Sequence, residues 1–379
     1  MSTEPDSNRC TICSTLIDIS DDLLFKEFFV VTDGDDGLPL PFGRSLTAHD
    51  TKGIKEQMGF PDYVRSYSKN SQYTGQNISY RLWVGDYSSA KQFSDLVSTD
   101  IDSGIKRLGV IRADVDNLGN AFVNGFTETG GGKYETLSRT STFSRMLSEF
   151  FKLRVNNILK KGVFNIADST ERESRNAAIV YSGGDDLFVV GKWDDIIGFA
   201  VDLHNCLDRY SERTLTLSAG IGIFDEKYPI YMMAESVGKL EDYAKAYRNK
   251  DGSITKNAVA LFDKDNVYAW DVFIEKVVDE KLNAVKALVK NTQHETAMLY
   301  KMLELIRGSN DKLNVARYAY LLARLRPRDD APESTKVEYA ALSEKLFRWI
   351  KSTEDRNQLI TAIYIFVYCN RGCNRETEE

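Results

Sequence analysis

A Gly-Gly-Asp-Asp tetrapeptide between two short apolar runs constrains the fold of this chain more than any other feature. Gly183 and Gly184 separate two runs that are each of strand length. A two-residue Gly-Gly connection is typical of a tight hairpin, since glycine supplies the positive φ angles that a primed turn requires. Asp185 and Asp186 then begin the second strand, where Asp is disfavoured. The pattern predicts a β-hairpin with two carboxylates at its tip.

A second pair of acids follows an apolar strand earlier in the chain. Residues 108–114 predict a buried strand, and Asp114 and Asp116 lie at its end. Side chains two residues apart on a strand point to the same side, so these acids could share a face. Together with the hairpin acids they could hold two Mg²⁺ or Mn²⁺ ions roughly 3.5–4 Å apart, which would activate an attacking oxygen and stabilise a leaving one. Asp185 and Asp186 point to opposite faces of an ideal strand, so which of them binds metal directly stays open.

The composition is that of an ordinary globular protein. Of 379 residues, 42% are hydrophobic and 28% charged, which predicts two or three domains with real cores. The net charge of −7 gives no bulk attraction to nucleic acid, so any RNA contact must come from a local patch or from partners. No apolar run approaches the roughly 20 residues of a membrane span, and the five cysteines suggest no secreted disulfide framework. We therefore expect a cytoplasmic protein.

The chain divides into three predicted regions of an α+β fold. Residues 1–105 predict a linker domain that contains β-structure, with strands at Phe25–Thr32 and Ile78–Val84. In residues 106–265, strand and helix signals alternate in the order βαββαβ, which is that of a ferredoxin-like palm. In this topology the first strand lies beside the central hairpin, as convergence of the acids requires. Residues 266–379 show helical periodicity and predict a helical bundle.

Five helices are predicted in this C-terminal region. One of them has a basic edge at Arg317, Arg324 and Arg328 that could contact RNA, although a solvated or partner-facing edge is the commoner explanation. The predicted helices are Val272–Lys290, Glu295–Arg307, Val315–Leu325, Glu338–Lys351 and Arg356–Tyr368.

Five motifs accompany this order of elements: Arg112–Gly119, Ser138–Ser144, Gly183–Asp186, Leu217–Phe224 and Lys256–Phe262. With them the chain resembles the large palm-domain subunit of type III CRISPR effector complexes, of the Csm (III-A) kind. The resemblance rests mainly on the palm, less on the helical region and least on the first hundred residues.

The resemblance implies a nucleotidyltransferase that makes cyclic oligoadenylates from ATP in an RNA-guided antiviral complex. The implied chemistry is attack of a ribose 3′-hydroxyl on the α-phosphate of the next ATP, with loss of pyrophosphate. The implied partners are other type III CRISPR subunits, the guide crRNA and the target RNA. The palm is also similar to those of diguanylate cyclases and polymerases, which use the same arrangement of carboxylates.

The resemblance also implies roles for single residues. Asp114, Asp185 and Asp186 would be the catalytic, metal-binding carboxylates, and Gly183 and Gly184 would let a nucleotide approach the backbone closely. The other implied nucleotide-binding residues are Ser182, Asn117, Ser218 and Lys245, of which the lysine would lie near the triphosphate.

Parts of the family pattern lie outside this sequence. Family members also have an HD nuclease domain and a first palm, and the three histidines here could not build an HD metal site. We therefore expect a truncated form, or one piece of a split protein whose N-terminal half is a separate chain, without HD-type DNase activity. Cys10 and Cys13 have zinc-knuckle spacing, but structural Zn²⁺ needs four ligands. The pair is either half of a site whose other ligands come from another segment or a Cys-x-x-Cys without function in an N-terminal tail.

Two alternative functions stay open. A non-catalytic scaffold would anchor guide RNA and neighbouring subunits, and the missing first palm favours it because relatives pair two palms around two ATP molecules. The clustered acids favour an enzyme, since a pure scaffold gains nothing from like charges. A diguanylate-cyclase-like activity is disfavoured by the Asp-Asp ending of the tip and by the helical region.

Overall fold

The computed structural model describes residues 10–97, 104–126, 136–167, 174–249, 251–292 and 297–371. Two β-sheets are followed by a group of helices along the chain. The predicted α+β class, with β-structure first, a palm second and helices last, is confirmed.

The N-terminal sheet has five strands and its own small apolar core, in which Phe28 and Val30 pack against Ile54 and Met58. Its strands lie in the order β2-β3-β1-β4-β5, and only the β4–β5 pair is parallel. The elements are α1 (Thr11–Asp18), α2 (Ser20–Phe25), β1 (Phe28–Asp33), β2 (Leu38–Leu40), β3 (Arg44–His49), α3 (Thr51–Gln57), β4 (Tyr63–Lys69), β5 (Tyr80–Leu82) and α4 (Phe93–Val97).

The sequence predicted two of these strands and missed the others. In β3 and β4 the buried positions include Ser45, Ser66 and Ser68. Their hydroxyl groups are hydrogen bonded inside the sheet; for example, Ser68 Oγ donates to the Ser71 carbonyl at 2.7 Å. Because buried serines give no apolar alternation, the hydrophobic pattern could not reveal these strands.

The second sheet is the palm. Its elements in chain order are β6 (Leu108–Val115), α5 (Leu118–Asn124), α6 (Leu137–Glu149), a π-helical segment (Phe150–Arg154), α7 (Val155–Lys160), β7 (Ala177–Ser182), β8 (Asp186–Lys192), α8 (Trp193–Tyr210), β9 (Leu217–Phe224), α9 (Ile230–Lys245), β10 (Ala258–Leu261) and β11 (Val267–Ala269). The six strands lie in the order β11-β10-β9-β6-β8-β7. Strands β6 to β9 are antiparallel neighbours, with β6 between β8 and β9. This confirms the predicted ferredoxin-like arrangement.

The palm sheet is covered on both faces. Alternate residues of β6 face opposite sides: Ile111 and Ala113 belong to the large core that includes α8, whereas Leu108 and Val110 pack with α4 and α9. The large core continues into the C-terminal helices, where it includes Trp349. The predicted domain boundaries at 105 and 265 stay predictions, and the apolar core runs across the second one.

The C-terminal helices agree with the five predicted ones, with shifted ends. The fourth begins at Glu333, directly after Pro332, which occupies the N-cap position. In the described ranges every helix is too short or too polar to span a bilayer. The elements are a π-helical segment (Val272–Leu282), α10 (Asn283–Thr292), α11 (Ala297–Arg307), α12 (Lys312–Arg324), α13 (Glu333–Trp349) and α14 (Thr353–Asn370).

The hairpin turn differs from the prediction. Neither Gly183 nor Gly184 has a positive φ, so the two-residue primed turn was wrong. The turn also includes Asp185, and the Gly183 N–H donates to the carbonyl of Asp186 at 2.8 Å. A Cβ added at Gly183 would lie 2.2 Å from the hydroxyl of Tyr181. Glycine therefore provides space for neighbouring side chains here, and not a left-handed backbone.

A buried ion network joins α8 to the segment that precedes the hairpin. Arg175 is 2% exposed and its guanidinium contacts the carboxylate of Asp202. Asp195 Oδ1 lies 3.9 Å from Arg175 Nη1, and Asp195 Oδ2 accepts a hydrogen bond from the Asn176 N–H at 3.0 Å. Burial, followed by the charge of Asp194, raises the pKa of Asp195 to about 6. The ionised form of Asp195 therefore destabilises the folded protein at neutral pH.

We predict that Asp195→Asn removes a pH-dependent component of stability. The folded state binds the Asp195 proton more tightly than the unfolded state, so this group's contribution falls as pH rises from about 4 to about 6. The free energy of unfolding of the variant relative to wild type should rise by about 2 kcal/mol between these limits. Urea unfolding across this pH range measures it. Asp36→Asn, in an exposed turn, is the control, and parallel pH profiles for wild type and Asp195→Asn would rule the prediction out.

Candidate active site

The register of the palm sheet brings predicted site residues together at one edge. Asp114, near the end of β6, lies directly across from Asp186 on β8 and from Ser218 on β9. The N–H of Val115 donates to the carbonyl of Asp185 at 3.0 Å, which fixes the hairpin tip to the end of β6. Carboxylates separated by about 70 residues of sequence therefore meet at one place, as the ladder pairing of antiparallel strands requires.

The charges of these acids act on one another. The pKa of Asp185 is raised, first by partial burial and then by the negative charges of Asp114 and Asp186, while Lys245 opposes the shift. The charge of Asp186 likewise raises the pKa of the nearby Tyr181 hydroxyl. Like charges held at one site disfavour ionisation unless a cation offsets them. The site would therefore gain electrostatically from a bound cation.

Helix α9 supplies the nearest cation. Lys245 Nζ lies 2.7 Å from Asp114 Oδ2 and 2.5 Å from Glu241 Oε1, and Arg112 Nε lies 2.8 Å from Glu241 Oε2. Burial lowers the pKa of Lys245, but its hydrogen bonds to Asp114 and Glu241 outweigh burial and raise it. Burial raises the pKa of Glu241, against the opposing effect of Lys245. The four side chains form a row of alternating charge.

Glu241 and Arg112 were not among the predicted site residues, although two features of the sequence indicate them. Glu241 and Lys245 are four residues apart on a predicted helix, which is the spacing of a helical ion pair. Arg112 is two residues before Asp114 on a predicted strand, so both side chains point to the same face.

A glycine in β9 determines how closely α9 approaches this row. A Cβ added at Gly220 would lie 2.4 Å from the Glu241 nitrogen and 2.4 Å from the Val237 carbonyl oxygen. Gly220 is also the register partner of Arg112. Because Gly220 has no side chain, the backbone of α9 contacts β9 directly. This contact places Glu241 and Lys245 at the sheet edge.

Asp116 is held by hydrogen bonds within the protein. It is 4% exposed, and its carboxylate accepts from Thr216 Oγ1 at 2.8 Å, Ser218 Oγ at 2.7 Å and the Asn257 N–H at 3.0 Å. These bonds tie the end of β6 to β9 and to the segment before β10. Metal binding by Asp116 and nucleotide binding by Ser218 stay predictions, and both side chains have a clear part in holding the sheet edge together.

The other predicted nucleotide-binding residues have different surroundings. The Ser182 hydroxyl donates to the Phe151 carbonyl at 2.6 Å and so joins the hairpin to the π-helical segment. Asn117 is exposed and has a left-handed conformation, with φ of 54°, just after β6. Gly184 is exposed, and a Cβ added there would meet only Ser148 Oγ, at 3.9 Å. The backbone at the hairpin tip is therefore open to a ligand.

The donor chemistry of the edge suits Mg²⁺ bound together with a substrate. Among the described residues, no three Asp, Glu, His or Cys side chains are grouped closely enough to hold a metal ion by themselves. Mg²⁺ usually needs only one or two carboxylates when substrate phosphates supply other ligands. Asp114, Asp185 and Asp186 offer such oxygen ligands. In the structure, Lys245 is the counter-ion of Asp114.

The cysteine pair lies away from this edge, at the start of α1. Cys10 and Cys13 are exposed, and the Cys13 N–H donates to Cys10 Sγ at 3.4 Å. This bond lowers the pKa of the Cys10 thiol. No further ligand completes a metal site around them in the part of the chain that the structure describes, and zinc binding stays a prediction.

Comparison with known families agrees with this description. The family model of the second palm domain of Cas10/Cmr2 matches residues 107–254. The model of the second helical domain of Cmr2, a subunit of the CRISPR RNA silencing complex, matches residues 272–372. The two matches cover strands β6 to β9 of the palm sheet and the helices that follow the sheet.

Curated relatives extend the similarity to nearly the whole chain. The single-strand-specific deoxyribonuclease Cas10/Csm1 (subtype III-A) of Mycobacterium tuberculosis is 39% identical over 97% of this chain and 44% of its own length. Its counterpart from Enterococcus italicus is 38% identical over 96% of this chain and 44% of its own length. The chain spans less than half the length of these relatives.

Solved structures share the fold. The Csm1–Csm4 cassette in complex with one ATP aligns with a TM-score of 0.69 at 24% identity, over 95% of this chain and 50% of the other. Csm1 of T. onnurineus aligns with a TM-score of 0.61 at 25% identity, over 89% of this chain and 49% of the other. The likeness includes the N-terminal sheet, which lies outside the residues matched by these two family models.

We predict that Asp116→Ala destabilises the protein far more than Asp186→Ala. The first change leaves three hydrogen-bond donors without their buried charged acceptor, which should lower the free energy of unfolding by about 3 kcal/mol. The second removes one of several like charges from a partly exposed edge and should change stability by less than about 1 kcal/mol. Urea unfolding at pH 7 compares the two variants, and equal losses would show that Asp116 is not a structural acid.

Proposed function

The chain belongs to the Cas10/Csm1 family of type III-A CRISPR systems, and from this premise we propose that its palm makes cyclic oligoadenylates from ATP. The observation that carries the proposal is the meeting of Asp114, Asp185 and Asp186 at one sheet edge beside the ammonium of Lys245. Carboxylates and a cation at the end of a palm strand are the groups that nucleotidyl transfer requires.

In the proposed reaction, the ribose 3′-oxygen of one nucleotide forms a bond to the α-phosphorus of the next ATP. The bond from that phosphorus to the bridging oxygen of the β-phosphate breaks, pyrophosphate leaves with the electron pair, and the hydroxyl proton passes to water. When bound at Asp114, Asp185 and Asp186, Mg²⁺ or Mn²⁺ would lower the hydroxyl pKa and neutralise charge on the phosphates. Positioning and electrostatics account for most of such catalysis, so the protein needs no further acid or base.

The residues of this chain would bind and orient the nucleotide. Exposed backbone at Gly184 admits close approach of the phosphates. Lys245 would exchange its contact with Asp114 for contacts with triphosphate oxygens, while Glu241 holds the lysine in reach through the 2.5 Å contact. During this exchange, the positive charge of Arg112 would continue to offset the negative charge of the buried Glu241. Ser182, Asn117 and Ser218 are proposed as further residues that border the nucleotide.

The proposed setting is a cytoplasmic, RNA-guided antiviral complex. A structure of similar fold contains Csm1 with Csm4 and ATP, and one of the matching family models describes a domain of the Cmr2 subunit of the CRISPR RNA silencing complex. We therefore propose ATP, a Csm4-like subunit, crRNA and target RNA as partners, with a separate or preceding segment as the source of a first palm.

We do not extend the deoxyribonuclease activity in the relatives' names to these residues. HD-type cleavage requires histidine and aspartate ligands around metal. His49 Nε2 instead contacts Thr47 Oγ1 at 2.8 Å, and His204 stacks on Trp270 with ring centroids 4.8 Å apart. Neither described histidine belongs to a possible metal cluster.

A non-catalytic scaffold is the second candidate. The contact between Lys245 and Asp114 favours it, since an acid already neutralised by a protein cation has less need of a metal ion. The scaffold would keep the palm fold and its subunit contacts without nucleotide turnover. Product analysis distinguishes the two functions directly.

We predict that the double variant Asp185→Ala, Asp186→Ala abolishes ATP turnover while folding and assembly persist. The acids are only partly buried, so their loss removes cation ligands and little packing. Complex assembled with this chain is incubated with ATP, Mg²⁺ and target RNA, and products are identified by mass spectrometry. The control is Asp35→Ala with Asp36→Ala, an exposed Asp-Asp pair in the N-terminal sheet region. Unchanged products in the tip variant would reject the assignment, and a lack of any product with wild type would favour the scaffold.

We predict that Lys245→Gln weakens binding of a non-hydrolysable ATP analogue about tenfold in the presence of Mg²⁺, because one charge-assisted phosphate contact is lost. Lys239→Gln is the matched control, since Lys239 lies on the same helix and is exposed in a pair with Glu235. Calorimetric titration measures both variants. Equal affinities for Lys245→Gln and the control would exclude a triphosphate contact.

A further inference from the structure

The segment Lys312–Arg328 is strongly basic in an acidic protein. Its 17 residues include five cations and no Asp or Glu, whereas the chain as a whole has a net charge of −7. Such a concentration of one sign creates a local potential that the whole-chain charge conceals. The cations are Lys312, Arg317, Arg324, Arg326 and Arg328.

The helix in this segment presents a defined surface to solvent. Arg317, Tyr320 and Arg324 of α12 are three and seven residues apart and so lie on one helical face, where all three are exposed. The opposite face is fixed in the core by Tyr318 and Leu322, which are 0% and 2% exposed. Arg326 and Arg328 continue the positive charge just past the end of α12. We call these four arginines and Tyr320 the basic stripe.

The four arginines of the basic stripe form no salt bridges among the described residues, although Asp329 and Glu344 line the groove beside Arg326. The guanidinium of Arg324 lies 5.9 Å from the ring centroid of Tyr320, and the tyrosine ring remains 66% exposed. Lys336 of the neighbouring helix, in contrast, contacts Glu333 at 3.7 Å. Unpaired cations repel one another, so an anionic ligand would be favoured on this face.

The basic stripe is bordered on one side by a groove of mixed charge. A groove of about 660 Å³ between α12 and α13 lies beside it, and its lining includes the acids Asp329 and Glu344 as well as Arg326. The groove therefore offers mixed charge, and the positive surface is confined to the outer face of α12 and the residues that follow it. A narrow positive track fits a single strand better than the broad surface of a duplex.

We propose that the basic stripe binds a single-stranded polynucleotide, with the arginines on its phosphates and an unpaired base stacked on Tyr320. An exposed aromatic ring beside arginines is the combination that single-strand binding uses, because stacking requires a base that is free of its pair. The proposal does not depend on the hairpin acids or on nucleotide turnover.

The test uses fluorescence anisotropy of a labelled, unstructured RNA of about 15 nucleotides, and of DNA with the same sequence, at roughly 50 to 200 mM salt. The triple variant Arg317→Gln, Arg324→Gln, Arg328→Gln should bind at least about tenfold more weakly at the lowest salt. Its plot of log affinity against log salt should be less steep by about 2, at about 0.7 for each lost phosphate contact. Tyr320→Ala should weaken binding about fivefold or more with an unchanged salt slope.

The matched control removes the same number of charges elsewhere. Lys52→Gln, Lys55→Gln and Lys264→Gln change exposed lysines distant in sequence from α12 and should leave affinity and slope unchanged. The Asp185→Ala, Asp186→Ala variant should also bind as wild type does, which separates this proposal from the catalytic one. A preference for RNA or for DNA identifies which kind of polynucleotide the basic stripe binds. Wild-type affinity in the triple variant, or an equal loss of affinity in the lysine control, would overturn the proposal.

Discussion

The pairing of β6 with β8 and β9 is the constraint on which the rest of the structure depends. It places Asp114 across from Asp186 on one side and from Ser218 on the other. Along β6, alternate residues enter two different apolar cores, as Ile111 and Val110 do. A slip of one residue would exchange these faces and bury the wrong side chains. The apolar residues on both faces of β6 therefore fix its register, and with it the position of the acids at its end.

The acids at this edge are partly compensated by a lysine, which in the proposed function would move to the triphosphate. Lys245 contacts both Asp114 and the buried Glu241, and Glu241 retains Arg112 when the lysine moves. A buried carboxylate with no partner would be strongly destabilising, so the second cation is what makes such a movement possible. In the proposed function, this arrangement would offset the charges of the site both without and with bound phosphates. Gly220 makes it possible by admitting α9 to the strand.

The sequence was most informative where apolar period and chain order agreed. The palm could be predicted because its strands alternate or are wholly apolar, and its topology then brought Asp114 to the hairpin. The N-terminal sheet was largely missed because Ser45, Ser66 and Ser68 fill positions where apolar residues were expected. The turn was misread because glycine at Gly183 relieves a steric contact, which sequence cannot distinguish from a need for positive φ.

The palm and the C-terminal helices hold a fixed relation to each other. Trp270 Nε1 donates to the Leu217 carbonyl at 2.7 Å, at the start of the strand that carries Ser218. The Tyr268 hydroxyl contacts Thr361 Oγ1 of α14 at 2.8 Å, and one apolar core runs from Ile111 to the last helix. Rotation of the helices against the palm would expose this core and break buried hydrogen bonds. A single-stranded polynucleotide bound on α12 and nucleotides bound at Asp114, Asp185 and Asp186 would therefore contact one rigid part of the protein.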